Sequence, residues 1–372
     1  MKVYSGFVHL PGSLLLDLGG YDINSYFLYF EARNNASTAP LAIYLAGGPG
    51  ESSTYAALSS ENGPCYVNIA GTDTIDNPWS FNNHINMLYI DQPVQTGFSY
   101  NELVNATFDL LTGDGLITPI DFDPSSPPPV NVSYGYGTYS NQLFNQTAKT
   151  TVQAAKTLWH FAEHWLSSFP GYNTESTQIE IIGNSWGGYW VPETAVQMTK
   201  GLQNLSSDHP LAHKNLAIDA VGITNGCVDL QSAMLGYPDF AYNNTYDVKF
   251  ASEAEYESAL NNYTIPGGCR DLIEECRTVG QEGDPAFSST NATVNELCME
   301  AFDFCTQYII EGFPDINQVS NKDRTFDIFV TNERNSKVHS TWLKAPCLNA
   351  ISTYLSCGIS TMQPRSKLSV SR

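Results

Sequence analysis

Residues 179–192 read IEIIGNSWGGYWVP, and this stretch decides the fold. A mostly β-branched run, Ile179–Ile182, precedes Gly-Asn-Ser-Trp-Gly, and aromatic and aliphatic residues follow the second glycine. A strand, then G-x-S-x-G, then a helix is the context in which a serine lies at a sharp turn with its Oγ exposed at a sheet edge. The pattern predicts that Ser185 is a nucleophile and that the N–H of Trp186 points to where an oxyanion forms.

A chance match is the alternative interpretation of this motif. By chance, a G-x-S-x-G match occurs in about one of ten chains of 372 residues. The strand-like run before the motif and the additional Gly188 after it lower that frequency and favour a catalytic turn.

Apolar runs and a helical pattern alternate along the rest of the chain. Continuous apolar runs are typical of strands buried on both faces, and alternation with helices indicates a parallel sheet in an α/β fold. The predicted strands are 3–10, 24–32, 41–46, 85–91 and 216–226, and the predicted helix is 145–169. Segment 102–140 is rich in Pro, Gly, Asn and Ser, and we expect an irregular surface loop there.

Four ordered motifs resemble those of the serine carboxypeptidases. GNSWGGYWVP (183–192) is similar to the nucleophile motif of that family, and AGGPGESS (46–53) to its glycine-rich loop. ENGP (61–64) and NMLYIDQPVQTGFSY (86–100) are similar to two further family motifs. The four motifs lie within the first 192 residues. The resemblance implies an α/β-hydrolase fold: a central, mostly parallel sheet with an inserted helical, disulfide-bonded cap.

The resemblance also implies a division into domains. The N-terminal part of the hydrolase core would span residues 1–226, and the inserted helical cap would span 227–320. Residues 321–372 would be an incomplete return to the core with a disordered tail.

The glycine-rich loop is the second predicted part of the site. Gly47, Gly48, Pro49 and Gly50 follow a buried strand, and in the family this loop supplies the second oxyanion donor, here the N–H of Gly48. A Gly-Gly-Pro-Gly run is also simply a tight turn. Its place directly after a buried strand favours the functional interpretation.

The resemblance further implies a site for the terminal carboxylate of a peptide. The family uses an Asn before the glycine-rich loop and two acidic groups, and the matching positions here are Ala46, Glu61 and Asn184. Glu61 and Asn184 are therefore the candidate carboxylate-binding residues. Ala46 lacks a side-chain donor, so one of the family's contacts to the carboxylate is missing here.

The composition indicates a secreted type of protein. The formal net charge of −21 opposes binding to nucleic acid and to anionic membranes, and no segment is apolar and long enough to span a membrane. Eight cysteines and eight N-x-[ST] sequons indicate the secretory pathway, with N-linked glycans. We expect a secreted or vacuolar protein, although no signal peptide precedes the first predicted strand.

Four of the cysteines have a regular spacing. Seven residues, close to two helical turns, separate the members of each pair, so each pair lies on one face of a predicted helix. The cysteines are Cys269, Cys276, Cys298 and Cys305. Antiparallel helices would be compatible with the nested bridges Cys269–Cys305 and Cys276–Cys298, although four cysteines allow three connectivities. The resemblance implies the nested pairing; a zinc site is disfavoured because the pairs are too widely spaced.

A general base for Ser185 is not evident. A serine hydrolase needs a histidine and a carboxylate that orients it, and the candidates after Ser185 are His209, His213 and His339. None of the three stands in the sequence context of the family's histidine, and the family's late G-D-x-D motif is not found. We therefore expect a chain truncated at its C-terminus, without efficient peptidase turnover.

Two other histidines invite a metal interpretation. His160 and His164 lie one turn apart on the predicted helix, a spacing that can bind a metal. Because no third ligand motif accompanies them, we predict ordinary helix residues, no metal and no cofactor.

The sequence thus predicts a serine-type carboxypeptidase that releases C-terminal residues from peptides through Ser185. One alternative is a non-catalytic homologue that binds peptides or partner proteins. Another is a serine esterase or acyltransferase on the same scaffold.

Overall fold

The computed structural model describes residues 1–310, apart from 59–61, 69, 110, 112–115, 124, 246 and 248. Within these residues the chain divides into two compact units, one before and one after the boundary between Gly226 and Cys227. The function of the second unit as a cap stays a prediction, and the predicted return to the core, 321–372, lies outside the described residues.

The described residues contain strands only in the first unit and helices in both. The strands are β1 (Val3–Leu10), β2 (Ile23–Phe30), β3 (Leu41–Leu45), β4 (Cys65–Val67), β5 (Thr74–Asp76), β6 (Asn86–Ile90), β7 (Leu103–Asp109), β8 (Leu116–Pro119), β9 (Tyr134–Ser140), β10 (Gln178–Asn184) and β11 (Ala217–Thr224). The α-helices are α1 (Ser53–Leu58), α2 (Thr151–Ser168), α3 (Gly187–Gln203), α4 (Leu230–Met234), α5 (Gly236–Asn243), α6 (Glu253–Thr264), α7 (Cys269–Gly283) and α8 (Ala292–Cys305).

A six-stranded sheet organises the first unit, with strand order β1-β2-β6-β3-β10-β11. β1, β2 and β6 pair antiparallel, whereas β6, β3, β10 and β11 pair parallel. Every residue of β3 and β6 is buried, as expected for strands that are covered on both faces. The predicted fold class, an α/β-hydrolase fold with a mostly parallel sheet, is confirmed.

Aromatic side chains fill the core between the sheet and helix α2. Trp165 and Phe161 on α2 are fully buried and meet Phe27 on β2 edge to face. Stacking and edge-to-face pairs of this kind contribute about 0.5–1.5 kcal/mol each beyond their buried area. The opposite face of the sheet is covered by α1, whose Ala56 and Ala57 pack in the cluster around Tyr44. The sheet is thereby held as a rigid layer whose carboxyl edge carries the candidate site.

The helix predicted over 145–169 begins later than its hydrophobic pattern suggested. Its first residue is Thr151, because the hydroxyl of Thr150 caps the helix by accepting from the backbone N–H of Gln153. Residues Phe144–Gln146 form a separate 3₁₀ turn.

The prediction of an irregular loop over 102–140 was wrong. This segment contains a three-stranded antiparallel sheet in the order β8-β7-β9. The glycines that suggested a loop leave space for aromatic rings instead. A Cβ on Gly135 would lie 2.5 Å from the Phe108 ring, and one on Gly137 would lie 3.2 Å from the Tyr139 ring. Composition was therefore a poor guide to this segment.

The second unit contains the predicted helical hairpin. Cys269 pairs with Cys305 and Cys276 with Cys298, with Cα–Cα separations of 5.0 and 4.8 Å. The nested pairing is confirmed, and it requires α7 and α8 to run antiparallel. Within the described residues Cys227 is the free cysteine, and no described helix is long and apolar enough to cross a membrane.

We expect the inner disulfide to stabilise this hairpin. Replacing both Cys276 and Cys298 by Ser should lower the free energy of unfolding of α7 and α8 by about 2–4 kcal/mol, because the reduced chain gains conformational entropy when it unfolds. Hydrogen exchange of the two helices in increasing urea measures the change. The control is Cys227→Ser, which should shift stability by less than about 0.5 kcal/mol. An unchanged exchange profile in the double variant would show that packing alone holds the hairpin.

Candidate active site

Ser185 lies at the turn between β10 and α3, with a backbone φ of 53°. A non-glycine residue in this left-handed region costs roughly 1–2 kcal/mol, so the surrounding structure must impose it. The N–H of Ser185 donates to the carbonyl of Thr224 on β11 (3.0 Å), and its carbonyl accepts from the N–H of Gly188 (3.0 Å). The turn is thus fixed on one side by the neighbouring strand and on the other by the first turn of α3.

The glycine-rich loop lies directly against this turn. We use "β3–α1 loop" for residues 46–52, which connect β3 to α1. A Cβ built on Gly47 would lie 2.7 Å from Cβ of Ser185 and 2.9 Å from the backbone nitrogen of Trp186. Only glycine allows so close an approach. The loop that contains Gly48 and the turn that contains Trp186 therefore meet at the same edge of the sheet.

Asn184 is oriented by a buried tyrosine. Its side-chain Oδ1 accepts a hydrogen bond from the hydroxyl of Tyr44 on β3 (3.2 Å). Within the described residues the side-chain amide of Asn184 forms no other hydrogen bond, so its NH₂ group is available to donate to a ligand. Ala46, the first residue of the β3–α1 loop, is almost fully buried. Glu61, the other candidate carboxylate-binding residue, lies outside the described residues.

None of the described histidines reaches Ser185. His209 directs its Nε2 towards Glu163 (3.4 Å), and its Nδ1 accepts from the backbone N–H of Leu211. His213 is exposed, and His339 lies outside the described residues. Within the described part of the chain, no side chain forms a hydrogen bond with the Ser185 hydroxyl. The general base missing from the sequence motifs is also missing from this part of the structure.

The two histidines of α2 have protein partners. Nδ1 of His164 donates to the carbonyl of His160 (2.9 Å), and Nδ1 of His160 lies 3.5 Å from Glu163. His160, with smaller contributions from His164 and His209, lowers the pKa of Glu163 below its usual value. These residues form a polar cluster around Glu163.

Sequence reasoning missed two residues near the site. Tyr44 gave no signal, because it stands inside a continuous apolar run and only its hydroxyl partner reveals its role. Asp91 stands within the quoted motif of residues 86–100, yet that motif carried no chemical interpretation. The structure buries Asp91 completely and connects it to the β3–α1 loop through Ser52.

Comparisons with known proteins identify the family of the chain. The family model described as serine carboxypeptidase matches residues 1–119 and 125–355. The chain belongs to the serine carboxypeptidase family. Among its relatives, carboxypeptidase S1 homolog A of Arthroderma otae is 41% identical over 324 residues, covering 85% of this chain and 49% of the relative. Carboxypeptidase S1 of Penicillium janthinellum is 29% identical over 348 residues, covering 91% of this chain and 66% of the relative.

A solved structure is also similar. The prohormone-processing carboxypeptidase Kex1(delta)p of Saccharomyces cerevisiae is 22% identical, with a TM-score of 0.48, and the match covers 82% of this chain and 53% of that one. The chain spans about half the length of the first curated relatives it matches, carboxypeptidase S1 homologs A and B of Arthroderma otae.

The contact between Gly47 and the Ser185 turn is testable. Gly47→Ala should lower the free energy of unfolding by about 1–3 kcal/mol, because the new Cβ would lie less than 3.0 Å from Cβ of Ser185 and from backbone atoms of Asn184 and Trp186. Hydrogen exchange should rise in residues 183–188, and chemical denaturation gives the stability. Gly236→Ala is the control, since a Cβ there has no neighbour within 4 Å. A Gly47→Ala protein as stable as the control would contradict the close approach.

Proposed function

We propose that the protein is a serine-type carboxypeptidase that releases C-terminal residues from peptides by acyl transfer through Ser185. The observation that supports this most directly is the contact between the strained Ser185 turn and the glycine-rich loop, in a chain of this family. Ser185 lies at the turn after β10, and within the described residues the backbone N–H groups of Gly48 and Trp186 have no protein acceptor, so both can donate to an oxyanion.

The proposed reaction begins with attack of Ser185 Oγ on the carbonyl carbon of the last peptide bond. The Oγ–C bond forms as the carbonyl becomes an oxyanion, which the N–H groups of Gly48 and Trp186 would stabilise. One such donor contributes roughly 10²–10³ in turnover. Trp186 also precedes the first turn of α3, so the positive end of that helix dipole favours the developing negative charge.

Proton transfer is the part of the reaction that the described residues leave open. The Ser185 proton must pass to a base that returns it to the leaving amine when the C–N bond breaks. Water then hydrolyses the acyl-enzyme and regenerates Ser185. A histidine outside the described residues must supply this base for the full reaction.

We propose that Asn184 and Glu61 bind the terminal carboxylate of the peptide. The hydroxyl of Tyr44 occupies Oδ1 of Asn184 and leaves the amide NH₂ to donate. The amide NH₂ of Asn184 can donate to a carboxylate at any pH, whereas Glu61 can donate to it only while its own carboxyl is protonated.

We also propose secretion or vacuolar residence with N-linked glycans. The disulfides of the hairpin suit an oxidising compartment. Six sequon asparagines have exposed side chains: Asn35, Asn105, Asn131, Asn145, Asn204 and Asn243. Peptide or protein C-termini are the proposed partners.

A second candidate function is a non-catalytic homologue that binds peptide C-termini in the same cleft. It is favoured by one observation, namely that no described histidine reaches Ser185. In the first function Ser185 attacks the peptide, and in the second it does not react. Both functions use the same site for the terminal carboxylate.

We expect the 372-residue chain to hydrolyse a blocked dipeptide inefficiently and an activated ester slowly but measurably. This expectation assumes that His339, which lies outside the described residues, does not act as the base. Loss of the base costs on the order of 10⁶ in turnover, while oxyanion stabilisation and binding alone leave roughly 10³–10⁴ over water. The measurement is amino-acid release from the dipeptide and p-nitrophenol release from p-nitrophenyl acetate, beside Ser185→Ala. Ester hydrolysis unaffected by Ser185→Ala would reject the nucleophile. Dipeptide turnover at ordinary enzyme rates would show that a base from the remaining residues is in place.

The carboxylate site is tested by Asn184→Asp. At pH 7 the new carboxylate repels an anionic ligand, and we expect N-benzoyl-phenylalanine to bind at least about tenfold more weakly, equivalent to about 1.4 kcal/mol. Affinity should recover as pH falls through the pKa of the introduced Asp, ordinarily about 3.9. Calorimetric titration measures this, with N-benzoyl-phenylalaninamide as the uncharged control ligand. Equal losses for the two ligands would place Asn184 away from the carboxylate.

A further inference from the structure

The motif of residues 86–100 contains a buried acid that the proposed reaction does not use. We call residues 91–102 the "β6–β7 loop", since they connect β6 to β7. Asp91 is the first of them, and its relative exposure is 0%. A carboxyl is almost never fully buried unless other groups satisfy it.

Both oxygens of the Asp91 side chain accept hydrogen bonds from two different segments. Oδ1 accepts from the hydroxyl of Ser52 (2.7 Å) and from the backbone N–H of Thr54 (2.9 Å). Oδ2 accepts from the backbone N–H of Phe98 (3.0 Å). One carboxyl therefore joins the end of the β3–α1 loop and the start of α1 to the far side of the β6–β7 loop.

The surroundings of Asp91 are neutral. All its described partners are hydroxyl or amide donors, and no described Lys, Arg or His forms an ion pair with it. Burial raises the pKa of Asp91 above its usual value, and the hydrogen bonds from Phe98, Thr54 and Ser52 oppose that rise. A carboxyl is costly to bury unless hydrogen bonds compensate. The hydrogen bonds from the two loops to Asp91 therefore have to be kept in the folded protein.

The two loops also pack closely around the carboxyl. Gly97 has a φ of +55°, and a Cβ at this position would lie 2.3 Å from Oδ2 of Asp91 and 2.9 Å from Oγ of Ser52. The main-chain carbonyl of Asp91 accepts from the hydroxyl of Ser99 (2.6 Å). The β6–β7 loop is thus folded tightly around Asp91 by contacts from its own residues.

A short path leads from Asp91 to the candidate oxyanion donors. Ser52, bonded to Asp91, ends the loop that includes Gly48, and the hydroxyl of Ser53 accepts from the backbone N–H of Ala46 at the other end of that loop (3.0 Å). Gly47 between them lies against Ser185. Both ends of the β3–α1 loop are therefore fixed by side chains beside Asp91.

We propose that Asp91 is a positioning residue for the oxyanion site: it ties the β3–α1 loop to the β6–β7 loop and thereby keeps the N–H of Gly48 directed at the reacting carbonyl. Asp91 touches neither substrate nor Ser185 in this role. The inference rests on the proposed function, because it assigns to that loop the donor used in the acyl transfer.

Asp91→Asn tests the role with minimal change in shape. An amide retains one acceptor oxygen but presents an NH₂ group either to the N–H of Phe98 or to the donors Ser52 and Thr54. The NH₂ group of the new side chain then faces a donor instead of accepting from it. The hydrogen bonds on that side of residue 91 are lost, and with them the link to one of the two loops. The matched control is Asn86→Asp, which disturbs an equally buried side chain, 1% exposed, at the opposite end of β6.

Hydrogen exchange of the folded 372-residue chain provides the first measurement. We expect Asp91→Asn to accelerate exchange in residues 46–54 and 93–99 by at least about tenfold, with little change in α2. Asn86→Asp should not accelerate hydrogen exchange in the two loops relative to exchange in the rest of the sheet. Unchanged exchange in the two loops of Asp91→Asn would overturn the proposal. If Asp91→Asn does not fold, Ser52→Ala removes one of the same hydrogen bonds and is judged by the same criteria.

Ser185-dependent hydrolysis of p-nitrophenyl acetate provides the second measurement. A displaced oxyanion donor should lower kcat by about 10- to 100-fold and leave KM within about twofold, whereas Asn86→Asp should keep both parameters. Loosened loops with an unchanged kcat would also overturn the positioning role. If the unmodified chain shows no hydrolysis that depends on Ser185, the proposed function fails, and the positioning role fails with it whatever the exchange data show.

Discussion

The close approach of two backbone turns, Gly47 against Ser185, is the constraint on which the candidate site depends. β3 and β10 are parallel neighbours, so the turns that follow them emerge at the same edge of the sheet. Ser185 adopts a left-handed backbone conformation that its side chain disfavours. The backbone hydrogen bonds to β11 and α3 compensate for this cost and hold the main chain of Ser185 in that conformation. The site is thus built mainly from main-chain geometry, with glycine required where the turns meet.

Buried polar side chains also position parts of the site. Tyr44 orients the Asn184 amide from within the sheet, and Asp91 joins the two loops that follow β3 and β6. Both are buried, and the hydrogen-bond partners described for them, Asn184 for Tyr44 and Ser52, Thr54 and Phe98 for Asp91, are neutral. In a region of low dielectric such bonds are strong, and leaving one unmade is costly. These residues therefore restrict the loops to one arrangement, which an oxyanion site needs before the substrate arrives.

The sequence predicted the parts of the structure that repeat a strong local pattern. The buried strands and the turn at Ser185 follow from short-range patterns, and the spacing of the four cysteines is compatible with the nested pairing that the family resemblance implies. The sheet of β7, β8 and β9 was missed because Gly135 and Gly137 suggest a turn until the rings of Phe108 and Tyr139 are seen to need their space. Tyr44 and Asp91 were missed for another reason: a hydroxyl in an apolar run, or an acid in a motif, has no evident role until its partner in another segment is known. The same limit applies to His209, whose partner Glu163 lies in another segment of the chain, on helix α2.

The central claim is that the N–H groups of Gly48 and Trp186 flank the reacting oxygen at Ser185. It is tested most directly by a crystal structure of the protein after reaction with a small fluorophosphonate, which leaves a tetrahedral phosphoryl group on the nucleophile. We predict an adduct on Ser185 with one phosphoryl oxygen about 2.7–3.1 Å from both backbone nitrogens. An adduct on another serine, or an oxygen on Ser185 directed away from both N–H groups, would contradict it.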